Sequence, residues 1–330
     1  MEKSVIKLSF ILPFYGVERY IGKCLDSIYH QDIPEDEYEV ICINDCSPDN
    51  SEQIVLQYAQ EHTNLKLIKH DVNKKLGAAR NTGLKAALGR YVWFIDTDDF
   101  IQENSLKYIL DLCEADDIEI LHFGIQDNYG NIIRRLVPTG VLTGIEEEAI
   151  SKKQECIEIT FPWNRIYKRS FLINNNLWFN DLYGGDVIHT ILSVNICQRM
   201  KNVDEFFYFY RTDNFSSDTK SQQTAQKVFD MSYVLAQAID RIIPQIKSQW
   251  QKDIAECVPW RINTSIKGVL RLTKEEQKKL WNMLQQNQSI YKFILVNGNA
   301  KTNIVLRSFY IMRMVSIIYK SLRNIKKKLK

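Results

Sequence analysis

The chain has 330 residues, 45% hydrophobic and 25% charged, with a formal net charge of +3. This is the make-up of an ordinary globular protein, and it excludes a disordered or low-complexity scaffold. The charge is uneven: residues 301–330 hold nine basic and no acidic residues, while the other 300 carry 34 basic against 40 acidic, a net −6.

The seven cysteines, Cys24, Cys42, Cys46, Cys113, Cys156, Cys197 and Cys257, are scattered and contain no C-x-x-C pair. Neither a disulfide framework nor a zinc site is expected, and a reducing cytoplasm fits best. At the N-terminus Lys7 interrupts the apolar stretch, Pro13 ends it, and no small-residue cleavage site follows. This reads as a buried strand, not a signal peptide. No uncharged apolar run approaches the roughly 20 residues of a spanning helix.

The first 125 residues alternate strand and helix patterns. Strand 6–12 leads to a helix over about 18–30, whose buried face is Tyr20, Ile21, Cys24, Leu25 and Ile28 at helical spacing. Strand 39–43 precedes a helix starting near Asn50, where Asp49 and Glu52 read as a capping box. Strand 65–68, helix 78–88, strand 91–95, helix 103–114 and strand 118–123 complete the series. Such alternation predicts a mainly parallel sheet with helices on both faces. Gly130-Asn131 predicts a hairpin turn, and 203–210 is aromatic and strand-like. Beyond about residue 218 the pattern is helical to the end. The domains expected are 1–215, with a ligand-binding part at 1–125 and a second part at 126–215, and a helical region at 216–330.

Three segments carry chemistry. Asp96-Thr97-Asp98-Asp99 follows the apolar strand Tyr91-Val92-Trp93-Phe94-Ile95. Carboxylates at the carboxyl end of a buried strand sit where open α/β sheets bind ligands, and they suit a divalent cation. On an extended backbone Asp96 and Asp98 would point the same way. Gly77-Ala78-Ala79-Arg80-Asn81-Thr82-Gly83 opens a helix, whose N-terminal amides suit an anion, although its small residues also serve close helix–sheet packing. Ile43-Asn44-Asp45-Cys46-Ser47 ends the second strand.

In this order the segments resemble the inverting, nucleotide-sugar-dependent glycosyltransferases of family 2, of the bacterial polysaccharide and lipooligosaccharide type, which have the GT-A fold. The resemblance covers about residues 5–215. It implies an α/β fold with a Rossmann-like, mainly parallel sheet flanked by helices, followed by a helical C-terminal region. It places Pro13, Tyr15 and Glu18, in the loop after the first strand, beside the donor nucleotide, with Gly16 where Asn is usual. It has Asp45 accept a hydrogen bond from a pyrimidine; an ionised carboxylate only accepts, which favours uracil or thymine over cytosine. Cys46 replaces the usual Gly. Arg80 would lie near the donor diphosphate or in the base-binding wall. Asp98 and Asp96 would hold Mn²⁺ or Mg²⁺, with Asp99 as a further candidate.

Phe161-Pro162-Trp163-Asn164-Arg165-Ile166-Tyr167-Lys168-Arg169 resembles the segment that precedes the family's catalytic region. Trp163 and Asn164 are therefore possible site residues. About 20 residues later Asp186 takes the place of the general base, with Gly185 where Glu is usual. Inversion by direct displacement needs such a base. Trp163, Trp178 and Tyr183 are candidates for an apolar sugar platform, while His189 lacks a partner at ligand spacing and reads as a packed residue. Tyr208-Phe209-Tyr210-Arg211 resembles the strand that closes this region. Gln-x-x-Arg-Trp, usual in processive synthases, is absent.

From residue 310 the apolar and basic residues fall on opposite helical faces, so residues 303–330 form a candidate peripheral membrane contact on the inner face of the cytoplasmic membrane. The function implied is non-processive transfer of a hexose from a uridine diphosphate sugar to a glycan or lipid-linked acceptor. No nucleic acid partner is expected. A sugar nucleotidyltransferase would need a Gly- and Arg-rich loop after the first strand, which Pro13-Phe14-Tyr15-Gly16 does not supply. A catalytically degenerate glycan-binding protein rests only on Gly16, Cys46 and Gly185.

Overall fold

The structure, a computed structural model, describes residues 5–144, 146, 161–182, 184–214, 224–242, 269–270 and 272–297. The chain divides into two compact units: Met1–Asp181 with His189–Phe215, and Leu182–Ile188 with Ser216–Lys330.

In the first unit β1 (Leu8–Phe14), α1 (Ile21–Tyr29), β2 (Tyr38–Asn44), α2 (Ser51–Glu61), β3 (Leu65–Lys69), α3 (Lys75–Ala86) and β4 (Tyr91–Phe94) alternate. Then come β5 (Phe100–Ile101), α4 (Leu106–Ala115), β6 (Ile120–His122), β7 (Ile125–Asp127), β8 (Ile132–Arg134), β9 (Arg165–Lys168) and α5 (Arg169–Asn174). Helix α6 (Gly185–Ile196) has its first turn in the second unit; β10 (Met200–Asn202) and β11 (Tyr208–Tyr210) follow.

The main sheet has the order β10-β6-β9-β4-β1-β2-β3. It is parallel except at β9, which runs antiparallel to both β4 and β6. Four residues, Arg-Ile-Tyr-Lys, form this inserted strand, too short and too polar at its ends to give a strand signal. The aromatic 203–210 stretch supplies only β11, whose sheet is β5-β11-β7-β8. The Gly130 turn joins antiparallel β7 and β8 with φ +82°.

Side-chain alternation builds two layers on β1 and β4. Leu8, Phe10, Leu12 and Phe14 join Tyr91, Trp93 and Ile95 in one apolar cluster with Ile21, Cys24, Leu25 and Ile28 of α1. Tyr20, expected on that buried face, is only half-buried. On the opposite face, α3 lies so close that a Cβ at Gly83 would stand 2.3 Å from Ile11 Cγ2 and 2.9 Å from Ile43 Cδ1. The small residues of this helix therefore serve packing as well as any ligand.

The expected capping box does not form. Asp49 accepts from the N–H of Glu18 and Ser51 and from the hydroxyls of Ser47 and Ser51. Glu52 turns to Asn44 and Lys69 instead. Tertiary partners have outcompeted the local cap.

The second unit contains α7 (Ala225–Ile242), α8 (Lys274–Gln286) and α9 (Gln288–Asn297). Ala225, Val228, Leu280, Leu284, Ile290 and Ile294 form its core. Thr273 caps α8 by accepting from the Glu276 N–H, and Glu276 accepts from Ala225 N–H at 2.5 Å. No described helix is long and apolar enough to cross a membrane. Residues 303–330 lie outside the described residues.

Candidate active site

The strand-end carboxylates sit on a turn, not on extended chain: the Asp99 N–H bonds the Asp96 carbonyl at 2.9 Å. The turn is tied to β1 by Thr97, whose hydroxyl donates to the Pro13 carbonyl at 3.0 Å. The three carboxylates have different fates. Asp96 Oδ1 accepts from Arg80 Nη2 at 2.6 Å. Asp98 Oδ2 accepts from Asn214 Nδ2 at 2.7 Å. Asp99 is buried; Oδ2 accepts from the Tyr208 hydroxyl at 2.7 Å and Oδ1 from the Arg211 N–H at 2.6 Å. Tyr208 also lies 3.3 Å from the Asp96 N–H, and Arg211 Nε donates to the Asp98 carbonyl at 2.6 Å. The Tyr-Phe-Tyr-Arg strand thus buttresses the acidic turn from behind.

Burial raises the Asp98 carboxyl above the ordinary carboxylate range, and the Asp96 charge beside it pushes the same way. Burial and both neighbours raise Asp99 much further. A divalent cation would relieve this repulsion, so Asp98 and Asp96 fit one. Asp99, spent on Tyr208 and Arg211, is not placed to serve. Among the described residues no group of three or more His, Cys, Asp or Glu could hold a metal. One or two carboxylates, completed by phosphate oxygens and water, suit Mg²⁺ or Mn²⁺ rather than a metal that needs a full protein cage.

Asp45, at the carboxyl end of β2, is buried. Its Oδ1 faces His70 Nδ1 at 2.7 Å and accepts from the Lys74 N–H at 2.8 Å. His70 was not legible as a site residue, although it follows β3 at the same sheet edge, where the strand-end rule applies.

Arg80 is 2% exposed. Its guanidinium lies 5.2 Å from the Phe179 ring centre, and Phe179 stacks on His189 at 3.8 Å with 7° between the planes. His189 is sealed, and among the described residues neither ring nitrogen has a hydrogen-bond partner. Burial first, then the charges of Arg80 and Arg165, push its pKa down to about 3. It is a neutral packed ring.

In the loop after β1, Tyr15 is 53% exposed and presents its ring to solvent. Pro13 is buried within β1. Gly16 has φ +68°, a conformation open to Gly and to Asn, so its place where Asn is usual leaves the backbone path intact. Cys46 has φ +63° without that freedom. Glu18 Oε2 accepts from the Asn50 N–H at 3.0 Å and braces the loop against the start of α2.

Asp186 sits in the first turn of α6, within the second unit, and its Oδ1 accepts from the Val187 N–H at 3.0 Å. Gly184 before it has φ +80°. Trp163 is 4% exposed and stacks with Tyr208, with ring centres 4.4 Å apart. Asn164 is wholly enclosed: Nδ2 donates to His122 Nε2 and the Phe123 carbonyl, and Oδ1 accepts from Arg165. Both residues belong to the core, because β9 turns this segment inward. Trp178 is half-buried beside Lys85, and Tyr183 lies outside the described residues.

Comparison with known proteins bears on the family and the fold. The chain is 31% identical to the uncharacterized glycosyltransferase EpsJ of Bacillus subtilis over 211 residues, 62% of this chain and 60% of that one. It is 29% identical to the poly(ribitol-phosphate) β-N-acetylglucosaminyltransferase TarS of Staphylococcus aureus over 63% of this chain and 36% of that one. The chain therefore spans less than two thirds of these relatives. The crystal structure of TarS residues 1–349 with UDP-GlcNAc superposes with a TM-score of 0.72 at 22% identity, over 96% of this chain and 92% of that one. The mannosyltransferase PcManGT of Pyrobaculum calidifontis, solved with GDP-Man and Mn²⁺, gives 0.54 at 14% identity, over 94% and 86%. The fold is GT-A. Residues 9–174, half of the chain, match the model of glycosyl transferase family 2, and the chain belongs to that family.

Proposed function

We propose that the protein is an inverting, metal-dependent glycosyltransferase that moves one hexose at a time from a uridine diphosphate sugar to a hydroxyl of a lipid-linked or growing glycan. The observation that carries this reading is that Asp45 and the Asp96–Asp98 turn follow the carboxyl ends of β2 and β4, both bonded to the end of β1 just before Tyr15, with Arg80 of α3 paired to Asp96. Tyr15 flanks the base, Pro13 fixes the strand end that leads into the loop, Asp45 accepts the base N–H, and Glu18 holds the loop. Arg80 fixes Asp96 toward the ribose and diphosphate. When bound at Asp98 and Asp96, Mn²⁺ or Mg²⁺ supplies electrophilic stabilisation of the leaving diphosphate.

Asp186 takes the proton from the acceptor hydroxyl as its oxygen forms a bond to the anomeric carbon. The bond from that carbon to the diphosphate oxygen breaks, the electron pair leaves with the nucleoside diphosphate, and the configuration inverts. UDP-GlcNAc in TarS supports a uridine donor, and Mn²⁺ in PcManGT supports the metal. The scattered cysteines, with no C-x-x-C pair among them, suit a cytoplasmic place of work.

A transfer and hydrolysis screen over UDP-, GDP- and CDP-sugars with Mn²⁺ or Mg²⁺ tests the reading. Turnover of a UDP-sugar that stops with chelator supports it; metal-independent turnover refutes the cation's part. Asp186→Asn is expected to keep donor binding and lose transfer about 10²–10⁴-fold. Loss of binding with transfer, or full activity, removes Asp186 as the base. For the tail, deletion of residues 303–330 is expected to release the protein from anionic liposomes; equal sedimentation of both forms excludes a membrane role.

A further inference from the structure

The two oxygens of Asp45 are used differently. Oδ1 is occupied by His70 Nδ1 and the Lys74 N–H, at 2.7 and 2.8 Å. Oδ2 takes no hydrogen bond from any described residue and is not sealed from solvent. A carboxylate held at one oxygen by two donors presents the other in a fixed direction. His70 is itself held: its backbone N–H bonds the Asn44 carbonyl at 2.9 Å, and its ring is nearly enclosed.

The far side of the ring settles which nitrogen carries the proton. His70 Nε2 lies 2.9 Å from Thr82 Oγ1, which lies 3.0 Å from the Ala78 carbonyl. An ionised Asp45 can only accept, so Nδ1 must carry a hydrogen. The Thr82 hydroxyl then has two complete arrangements. It donates to Nε2 of a neutral ring, or it donates to the Ala78 carbonyl while accepting from Nε2–H of a charged ring. In both, Nδ1–H points at Asp45. Rotation of one hydroxyl satisfies the far side of the ring in either arrangement, and the bond to Asp45 is unchanged.

We propose that His70, backed by Thr82, is a positioning residue that keeps Asp45 a fixed hydrogen-bond acceptor and so makes the donor site select a base with a ring N–H, uracil or thymine, over cytosine, whose N3 only accepts. This rests on the placement of the donor base at Asp45 in the proposed function. Without the His70 donor, Asp45 is free to rotate and no longer offers its oxygen to a base N–H in one direction, so discrimination weakens as well as affinity. A purely structural role for His70 would lower affinity for both nucleotides alike.

The test is calorimetry of the full chain with UDP and with CDP, each with Mn²⁺. The wild type is expected to favour UDP at least about tenfold, in keeping with one charge-assisted hydrogen bond. His70→Leu is expected to shrink the UDP-to-CDP ratio several-fold, and His70→Asn, whose amide places a donor near Nδ1, to restore most of it. A ratio unchanged in a folded His70→Leu overturns the proposal. A measurement on the wild type stands independently of any variant's folding: ¹⁵N shifts of the His70 ring are expected to place a hydrogen on Nδ1. A neutral ring with bare Nδ1 overturns the proposal too. If the wild type binds no UDP, or Asp45→Ala leaves the ratio intact, the donor-site reading fails and this inference falls with it. UDP binding that depends on Asp45 but not on His70 removes this inference alone.

Discussion

Arg80 Nη2 stands 2.6 Å from Asp96 Oδ1, and Arg80 is 2% exposed while the Asp96 side chain is 26% exposed. The arginine of the Gly-Ala-Ala-Arg segment is thus an internal brace for the acidic turn, with the aspartate as the member that meets solvent. Its guanidinium rests near the Phe179 face, so both charge and packing hold it.

Arg80→Met is therefore expected to cost about 2–3 kcal/mol of stability, less than a fully enclosed pair would lose because Asp96 keeps solvent. Asp96→Asn in that background should recover part of the loss. Urea unfolding of the two single variants and the double variant measures the coupling; simple additivity would show that the pair does not act as a unit.

Asp98 yields a prediction about stability and metal together. Its folded carboxyl holds a proton more tightly than the unfolded chain does, because of burial and the Asp96 charge. By linkage, its ionisation destabilises the metal-free fold as pH rises through the unfolded carboxylate range, and that penalty persists at pH 7. Asp98→Asn should raise the melting temperature of the metal-free chain at pH 7. Near pH 3, where both carboxyls are protonated, the gain should vanish. Mn²⁺ at a hundredfold excess over its Kd should add about 2.7 kcal/mol to the wild type and nothing to the variant. Thermal melts with and without Mn²⁺ check both arms; stabilisation of Asp98→Asn by Mn²⁺ would remove Asp98 as a ligand.

Cys46 occupies a left-handed backbone position, φ +63°, in the loop between Asp45 and Ser47. That conformation costs a non-glycine residue about 1–2 kcal/mol, and glycine's extra freedom in the unfolded chain returns part of it. Cys46→Gly is expected to stabilise the chain by about 0.5–1 kcal/mol and Cys46→Val to destabilise it by a similar amount or more. Urea midpoints decide; equal midpoints would mean that the loop relaxes around the side chain.

Much of this arrangement was legible because period and punctuation are local. β1, β2 and β4 are short apolar runs, and their helices repeat at helical spacing. Element existence followed, with ends moved by two or three residues, as where α3 starts at Lys75 rather than Ala78. The antiparallel β9 was not legible, because strand direction is set by partners far along the chain: Tyr91 pairs with Lys168. The same limit explains Asp99 and Asn164. Their identities suggest a ligand site, but Tyr208 and His122, distant in sequence, use up their hydrogen bonds inside the core. Asp45 and Arg80 could be singled out from motifs alone, whereas the side chains that orient them, His70 and Phe179, lie outside those motifs. Supporting residues answer to geometry, and a short motif carries little of that.

His189 provides a prediction with a definite sign. Its ring stacks on Phe179, and neither nitrogen has a hydrogen-bond partner among the described residues. Burial and the nearby Arg80 and Arg165 push its pKa from 6.5 down to about 3. Between those values the unfolded chain binds a proton that the folded chain does not. Stability must therefore fall as pH drops from 6.5 toward 3, by up to about 1.4 kcal/mol per pH unit from this residue. Above 6.5 both states hold it neutral and the contribution is flat. His189→Phe keeps an aromatic ring against Phe179 and removes the titration. At pH 7.5 it should be as stable as the wild type or more so, because no hydrogen bond is lost and two unpartnered nitrogens disappear. At pH 5 its advantage should widen by about 2 kcal/mol. Urea unfolding at the two pH values reads the difference directly, since every other titrating group is common to both chains. An equal gap at pH 7.5 and pH 5 would mean that the imidazole is charged in the fold, and the neutral stack between Phe179 and His189 would have to be abandoned.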